Sequence, residues 1–307
     1  MPELPEVEVL RRQLEKEYVG KRIRGADIKT RKYVKEARGD GKRLTKRHVT
    51  PKEFERPLQN GKVKAVHRKG KYLSFELDNH NYLVFHLGMS GHLVKATARR
   101  PADKHTHVVL HFTQGPELRF FDARRFGECF VTTAEGYADA MAGLGLDAIN
   151  DQIPWQLFGD MVSTRKAKMK HLLMDQEFMS GLGNIYSDEV LFHAGLPWDR
   201  TSDSLTSNEI RRLSRSVAEV LQDAIRHRGT TLSDGEWRDL YDEPGEHQQA
   251  LTVHGREGEP CRRCRTPIVR IRIGQRSHYF CPQCQSVKMK RVAGPGGVSE
   301  RTGRKPA

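Results

Sequence analysis

No stretch of the chain approaches the roughly 18 consecutive apolar residues of a membrane-spanning helix, which excludes a helical membrane span. The opening MPELPEVEVL lacks the basic head and apolar run of a signal peptide and argues against secretion. Cysteine is scarce, five residues with four of them in two Cys-x2-Cys pairs. That usage excludes a disulfide framework and fits metal binding in a reducing compartment. Apolar residues make up only 36%, lean for a globular protein but too many for a wholly disordered one. Acidic residues are also in short supply, 39 against 53 Lys and Arg, which leaves a net charge of +14. A chain this basic points to a polyanionic partner, with nucleic acid first, although a basic surface also serves solubility. At 307 residues the chain exceeds one ordinary domain and predicts two, with a small appendage. There is no internal repeat of consequence.

Residues 5–18 predict a first helix, with Pro5 in its first turn, Val7, Leu10, Leu14 and Tyr18 at helical spacing, and Gly20 as the stop. Residues 21–52 carry 13 Lys and Arg against three acids and read as a basic, partly mobile excursion between short strands. From Val63 to Phe130 short strand-like runs follow one another, among them 72–77, 82–87, 107–112 and 118–121. Such a succession implies an all-β sandwich or barrel. After Asp151 the pattern turns helical. Its clearest helix spans 207–227, with Thr206 and Glu209 as a capping box, Ile210, Leu213, Val217, Leu221 and Ala224 on one face, and Gly229 beyond its end. The last stretch, with Gly-Pro-Gly-Gly and six basic residues after position 284, reads as a disordered tail.

Cys261-x2-Cys264 and Cys281-x2-Cys284 stand 16 residues apart. Two such knuckles joined by a hairpin build a four-thiolate tetrahedron for one Zn2+, and four protein ligands leave no open position, so the metal is structural. Residues 268–273 alternate as a strand, Gly274-Gln275 make the turn, and 277–280 return. Arg276 at the tip can reach a phosphate or stay solvated. Cys129, alone in a strand-like run, is expected to be a small buried hydrophobe.

Five segments occur in one order: Pro2-Glu3-Leu4-Pro5-Glu6-Val7-Glu8, His86-Leu-Gly-Met-Ser-Gly91, Asp122-Ala-Arg-Arg-Phe-Gly127, Gly181-Leu-Gly-Asn-Ile-Tyr-Ser-Asp-Glu189 and the cysteine hairpin. Together they resemble the bacterial formamidopyrimidine-DNA glycosylases of the Fpg/Nei family, over roughly residues 1–285. Leu4 points to the formamidopyrimidine branch, since the endonuclease VIII branch commonly has Gly there. The resemblance implies an α+β protein with a β-sandwich N-terminal domain (1–135) and a helical domain with a helix–two-turn–helix motif (151–252). A four-cysteine zinc finger (253–285) and a basic tail (286–307) complete the expected division. It also implies a monomer in the bacterial cytoplasm, associated with the nucleoid, that binds damaged double-stranded DNA and no membrane. Oxidised purines such as 8-oxoguanine and formamidopyrimidines would be excised and the abasic strand cleaved.

The residues supply a chemistry for this. Met1 precedes a small residue and is expected to be removed, leaving Pro2 with a free secondary amine. A free α-amine has a pKa of ~7.7–8.0, so a usable fraction is unprotonated near neutrality. Attack on the sugar C1′ expels the base and gives an adduct that collapses to an iminium, cationic without needing a proton. That cation acidifies the C2′ proton, and β,δ-elimination of the 3′ and then the 5′ phosphate follows. Glu3 is the candidate general acid/base, with Glu6 one helical turn on as its support. On residue type alone both carboxylates would be ascribed to the helix macrodipole. A damaged base must leave the stack and its gap be filled. By resemblance Met89, Arg124 and Phe126 are that wedge, and the glycines around Met89 favour a turn. Lys71, Asn184 and Arg276 match backbone-phosphate contacts, with Asn184 at a helix start. Lys170 and Glu189 fall on positions resembling active-site residues.

The chain departs from the family where Ala123 replaces a common proline, His254 a common tyrosine, and Lys170-His-Leu a usual Lys-Pro-Trp. None of these touches Pro2 or Glu3. The segment after Gly229, up to about Thr252, has its own composition and bears on lesion preference. Two alternatives stand beside the main reading. One is an endonuclease VIII-like glycosylase for oxidised pyrimidines. The other is a non-catalytic zinc-ribbon DNA-binding protein, against which the presence of Pro2, Glu3 and Lys71 counts.

Overall fold

Helix α1 (Leu4–Tyr18) opens the computed structural model, which describes residues 2–30, 34–39 and 44–286. Its apolar positions divide between two cores. Val7, Leu10, Leu14 and Tyr18 face the strands, whereas Leu4 and Val9 join the helical core. One helix therefore carries its N-terminal residues into the seam between the two halves.

The strands that follow are β1 (Ile23–Ile28), β2 (Val34–Gly39) and β3 (Leu44–His48). After the short helix α2 (Pro51–Glu55) come β4 (Val63–Lys69), β5 (Tyr72–Leu77), β6 (Asn81–His86), β7 (Gly91–Ala96), β8 (Thr106–Phe112), β9 (Glu117–Asp122) and β10 (Glu128–Thr133). They form a four-stranded sheet in the order β1-β8-β9-β7 and a six-stranded sheet in the order β3-β2-β10-β6-β5-β4. The ladders are antiparallel except β2 with β10. Side chains of both sheets meet in one core, where the Phe85 and Phe120 rings lie 5.5 Å apart. Of the sandwich or barrel that the alternating runs implied, this is the sandwich. Cys129 is fully buried in it, as expected.

The basic excursion supplies an edge strand to each sheet. Residues 31–33 and 40–43 of this excursion, which was expected to be partly mobile, lie outside the described residues. Part of its charge is neutralised at home: Glu128 pairs with Lys35 and Lys46, and Glu36 with Arg38 and Arg47.

The remainder is helical, with α3 (Ala134–Ala142), α4 (Trp155–Thr164), α5 (Met169–Met174), α6 (Asn184–Ala194) and α7 (Ser207–Arg226). The Thr206–Glu209 capping box starts α7, and its five expected apolar residues are buried. A short parallel bridge joins β11 (Leu146–Asp147) to β12 (Met179–Ser180). The hairpin β13 (Val269–Ile273) and β14 (Arg276–Phe280) closes a third, small core with Phe192 and Val253. The expected tail lies outside the described residues from 287 onward.

The halves are locked by a buried ion cluster. Arg68 of β4, its side chain wholly inaccessible, holds Asp147 through both terminal nitrogens and Glu8 of α1 at 2.9 Å. Deleting one partner of such a group costs about 3–5 kcal/mol, because the other charge stays buried and unpaired.

Candidate active site

Pro2 and Glu3 are buried at the start of α1, against the N-terminus of α6. The Glu3 carboxylate accepts from the backbone N–H groups of Gly183 (2.6 Å), Ile185 (2.9 Å) and Tyr186 (3.3 Å). Leu4 N–H donates to the Gly181 carbonyl at 3.0 Å. A helix start offers unpaired N–H groups and a positive dipole end to an anion, which is why this carboxylate sits in the interior. Gly183 permits the approach: a Cβ there would lie 2.5 Å from the Glu3 carboxyl carbon. Three amides hold Glu3 beside Pro2 in one orientation.

Glu6 lies one turn behind. One oxygen accepts from the Glu3 N–H at 2.8 Å, the other from the Tyr186 hydroxyl (2.6 Å) and the Thr230 N–H (2.7 Å). Burial pushes its carboxyl up to about 7, with the neighbouring Glu3 charge adding to the rise and the Tyr186 bond opposing it. Glu6 is thus a proton-exchanging group near neutral pH, one residue type and one turn from the nucleophile candidate.

Lys71 lies in the turn just before β5, and its ammonium makes no hydrogen bond among the described residues. Burial lowers its pKa, while Glu3 and Glu6 pull it upward and Arg276 lowers it further. These couplings place Lys71, Glu3 and the exposed Arg276 in one electrostatic neighbourhood. His86, paired with Tyr72 at the same end of the ladder, is pushed down to about 4 by burial and by Lys71. It is neutral at physiological pH and accepts from the Gly88 N–H at 3.3 Å.

The turn carrying Met89 and the loop carrying Arg124 and Phe126 emerge at that same end of the sheet, since His86 also pairs with Glu128. Ser90 ties them: its hydroxyl donates to Asp122 (2.7 Å) and accepts from the Arg124 N–H (2.9 Å). Asp122 in turn accepts from the Gly127 N–H at 2.7 Å. Met89 is half-buried and Arg124 exposed. Phe126 is 60% exposed, with the Arg124 guanidinium 5.6 Å from its ring centre.

The four cysteines converge, their sulfurs all within 4.8 Å of one another. Cys261 and Cys284 are 3.9 Å apart and Cys264 and Cys281 3.4 Å, close to the roughly 3.8 Å edge of a zinc–thiolate tetrahedron. Backbone N–H groups of Arg263 and Cys284 point at Cys261 and Cys281, as zinc knuckles require. The residues fit one structural Zn2+.

Three residues expected at the DNA instead face inward. Lys170 is 3% exposed, and its ammonium is consumed by Asp188, Ser187 and the Asn184 carbonyl. Glu189 accepts from the N–H groups of Thr252, Val253 and His254, so it fastens a loop. Glu6 accepts from Glu3, Tyr186 and Thr230. Burial and these partners turn all three side chains inward. Asn184 occupies the first position of α6 and donates to the Ser277 carbonyl at 2.8 Å, bracing the zinc hairpin.

Sequence reasoning missed Tyr186, Thr230 and the Asp188 cluster. Asp188 accepts from Lys170, His254 and His278. Despite its burial, Lys170 and the two imidazoles hold its carboxyl far below the usual range. His254, noted as a departure, thereby keeps a polar role. The sequence signal was the position of Tyr186 and Asp188 inside the Gly181–Glu189 segment.

Residues 1–129 match the model of the formamidopyrimidine-DNA glycosylase N-terminal domain, 144–235 that of its H2TH domain, and 258–287 that of a zinc finger found in FPG and IleRS. The formamidopyrimidine-DNA glycosylase of Herpetosiphon aurantiacus is 42% identical over 287 residues, covering 93% of this chain and all of the relative. Lactococcus lactis Fpg in complex with DNA containing an abasic site superposes with a TM-score of 0.82 at 30% identity. The wild-type protein with DNA containing N7-benzyl-Fapy-dG gives 0.82 at 31%. Each superposition covers 93% of this chain and 100% of the other.

Proposed function

Because this chain belongs to the formamidopyrimidine-DNA glycosylase family, we propose that it is a bifunctional DNA glycosylase and AP lyase of base excision repair, acting on oxidised purines through Pro2. The observation that carries this reading is the clasp of Glu3 by the α6 amides, which seats Pro2 beside a fixed carboxylate, a carboxyl titrating near neutrality and an unpaired ammonium.

In this reading the Pro2 nitrogen, freed by loss of Met1, forms its bond to C1′ as the glycosidic bond breaks. Glu3 exchanges the proton that opens the sugar ring, and Glu6 relays protons behind it. The nitrogen then expels the ring oxygen to give the iminium. Removal of the C2′ proton sends that electron pair into a double bond and ejects the 3′ phosphate, and a second elimination ejects the 5′ phosphate. Lys71 and Arg276 hold the phosphates flanking the flipped nucleotide, Asn184 positions the hairpin that presents Arg276, and Met89, Arg124 and Phe126 fill the vacated stack. The zinc hairpin aligns Arg276 and takes no part in the chemistry.

The division into 1–135, 151–252 and 253–285 follows the cores of the sandwich, the helices and the hairpin. Among the described residues no helix is long and apolar enough to cross a membrane, and the matched relatives are bacterial. A monomer working in the bacterial cytoplasm at the nucleoid is part of the same proposal.

Borohydride reduction during reaction with an 8-oxoguanine duplex should give one protein–DNA crosslink, mapping to the N-terminal peptide and not to Lys71 or Lys170. A form retaining Met1 has an amide in place of the amine and should give none. Normal excision and crosslinking by that form would refute the proline mechanism. Glu3→Gln should abolish excision while sparing much of the cleavage of a pre-formed abasic site. Duplexes with oxidised pyrimidines, assayed in parallel, separate the two branches of the family.

A further inference from the structure

Away from the active site, at the C-terminal end of α7, Asp223, His227 and His247 place one ring nitrogen each and a carboxylate oxygen within 4.8 Å of one another. Asp223 and His227 are four residues apart, one turn on the same helix face. His247 enters from the far side of the segment that follows. It is 4% exposed, and its Nδ1 is buried without a hydrogen-bond partner, 3.7 Å from Asp223 Oδ2. An unpaired ring nitrogen in the interior is costly unless something occupies the gap it faces.

The surroundings are arranged as ligands require. His227 Nδ1 lies 3.5 Å from Asp223 Oδ2 and 2.9 Å from the Asp223 carbonyl, so a bound ion would take this nitrogen over from the carbonyl. Arg226 binds Oδ1 of Asp223 at 2.8 Å, so Oδ2 is the oxygen that faces the imidazoles. Asp223 and His247 border a cleft of about 470 Å³ that also presents His193 and Glu219, leaving room for solvent or a fourth ligand.

We propose that Asp223, His227 and His247 form a second metal site, separate from the cysteine cluster, for a borderline divalent transition ion of the Zn2+ class. Two imidazoles and one carboxylate suit such an ion, whereas Mg2+ and Ca2+ favour all-oxygen shells. Three ligands with exposed partners make it weaker than the four-thiolate site. Its position gives it a consequence. Glu246 N–H donates to the His227 carbonyl (2.9 Å) and His247 N–H to the Gly229 carbonyl (3.0 Å). A Cβ at Gly245 would overlap that same carbonyl. The ion would therefore clamp the two ends of segment 229–247, whose Thr230 N–H holds Glu6.

The test uses untagged full-length protein with its zinc finger filled. Equilibrium dialysis against low-micromolar Zn2+, with excess Mg2+ present, should give two zinc ions per chain by atomic absorption. Asp223→Asn and His227→Gln, both at partly exposed positions, should each give one. Hydrogen exchange should slow at residues 227–231 and 245–249 on adding Zn2+ to the wild type and not to the variants. One zinc per chain in the wild type, two in either variant, or unchanged exchange at those residues would overturn the assignment.

Discussion

Replacing Glu6 by glutamine should flatten the loss of stability that this protein suffers between weakly acidic and weakly alkaline solution. Burial raises the Glu6 carboxyl from 4.5 to about 7, so the folded protein keeps a proton there that the unfolded chain has already released. The stability resting on that proton is complete below about pH 4.5 and is lost as the pH rises through about 7. Raising the carboxyl that far corresponds to about 3 kcal/mol in full, of which about 2.5 kcal/mol falls between about pH 5 and about pH 8. Glutamine cannot titrate, and its contribution does not change with pH.

The substitution also has a constant cost. Glu6 accepts from Glu3, Tyr186 and Thr230, and an amide has only one acceptor oxygen. At least one donor is left facing an NH2 group, an offset of about 1–3 kcal/mol at every pH. The slope therefore carries the argument. Urea unfolding of the zinc-loaded wild type and Glu6→Gln at the two pH values gives a difference of differences in which other titrating groups cancel. Equal pH dependence in the two proteins would refute the reasoning. Carbon-13 NMR of labelled glutamate carboxyls supplies a direct reading: one resonance titrating near neutrality, absent from the variant.

Asp188→Asn should lower stability by about 3–5 kcal/mol, since it leaves Lys170 charged and buried; a thermal midpoint unchanged by the substitution would mean that solvent reaches this cluster. Arg276→Ala should reduce the salt slope of duplex binding by about 0.9, one counterion fewer, without altering the unfolding curve. Chelating the cysteine-bound metal, or Cys281→Ala, should weaken DNA binding sharply while the sandwich stays folded, and normal affinity in a verified metal-free protein would contradict the hairpin's supporting role.

Local repetition made much of this protein legible in advance. Helix α1, helix α7 with its Thr206–Glu209 box, the alternating strands and the cysteine hairpin all announce themselves because a period of 3.6, a period of 2 or a fixed ligand spacing is a property of neighbours along the chain. The ordered motifs around Pro2, His86, Asp122 and Gly181 added the family, and with it the expectation that Pro2 and Glu3 meet the substrate. Met89 in a turn followed from the glycines beside it, whereas the exposure of Phe126 came only with the structure.

Direction and partnership were decided only by the fold. Nine of the eleven residues of α6 are buried, so no polar face in its sequence reveals which way Asp188 and Glu189 are turned. Glu3 is held by amides some 180 positions away, and His254 and His278 reach Asp188 from separate segments. Whether a lysine grips a phosphate or neutralises a buried aspartate depends on which groups share its low-dielectric surroundings. The same holds for a carboxyl that titrates near 4 or near 7. Those surroundings are assembled from elements far apart in the chain, and only packing brings them together.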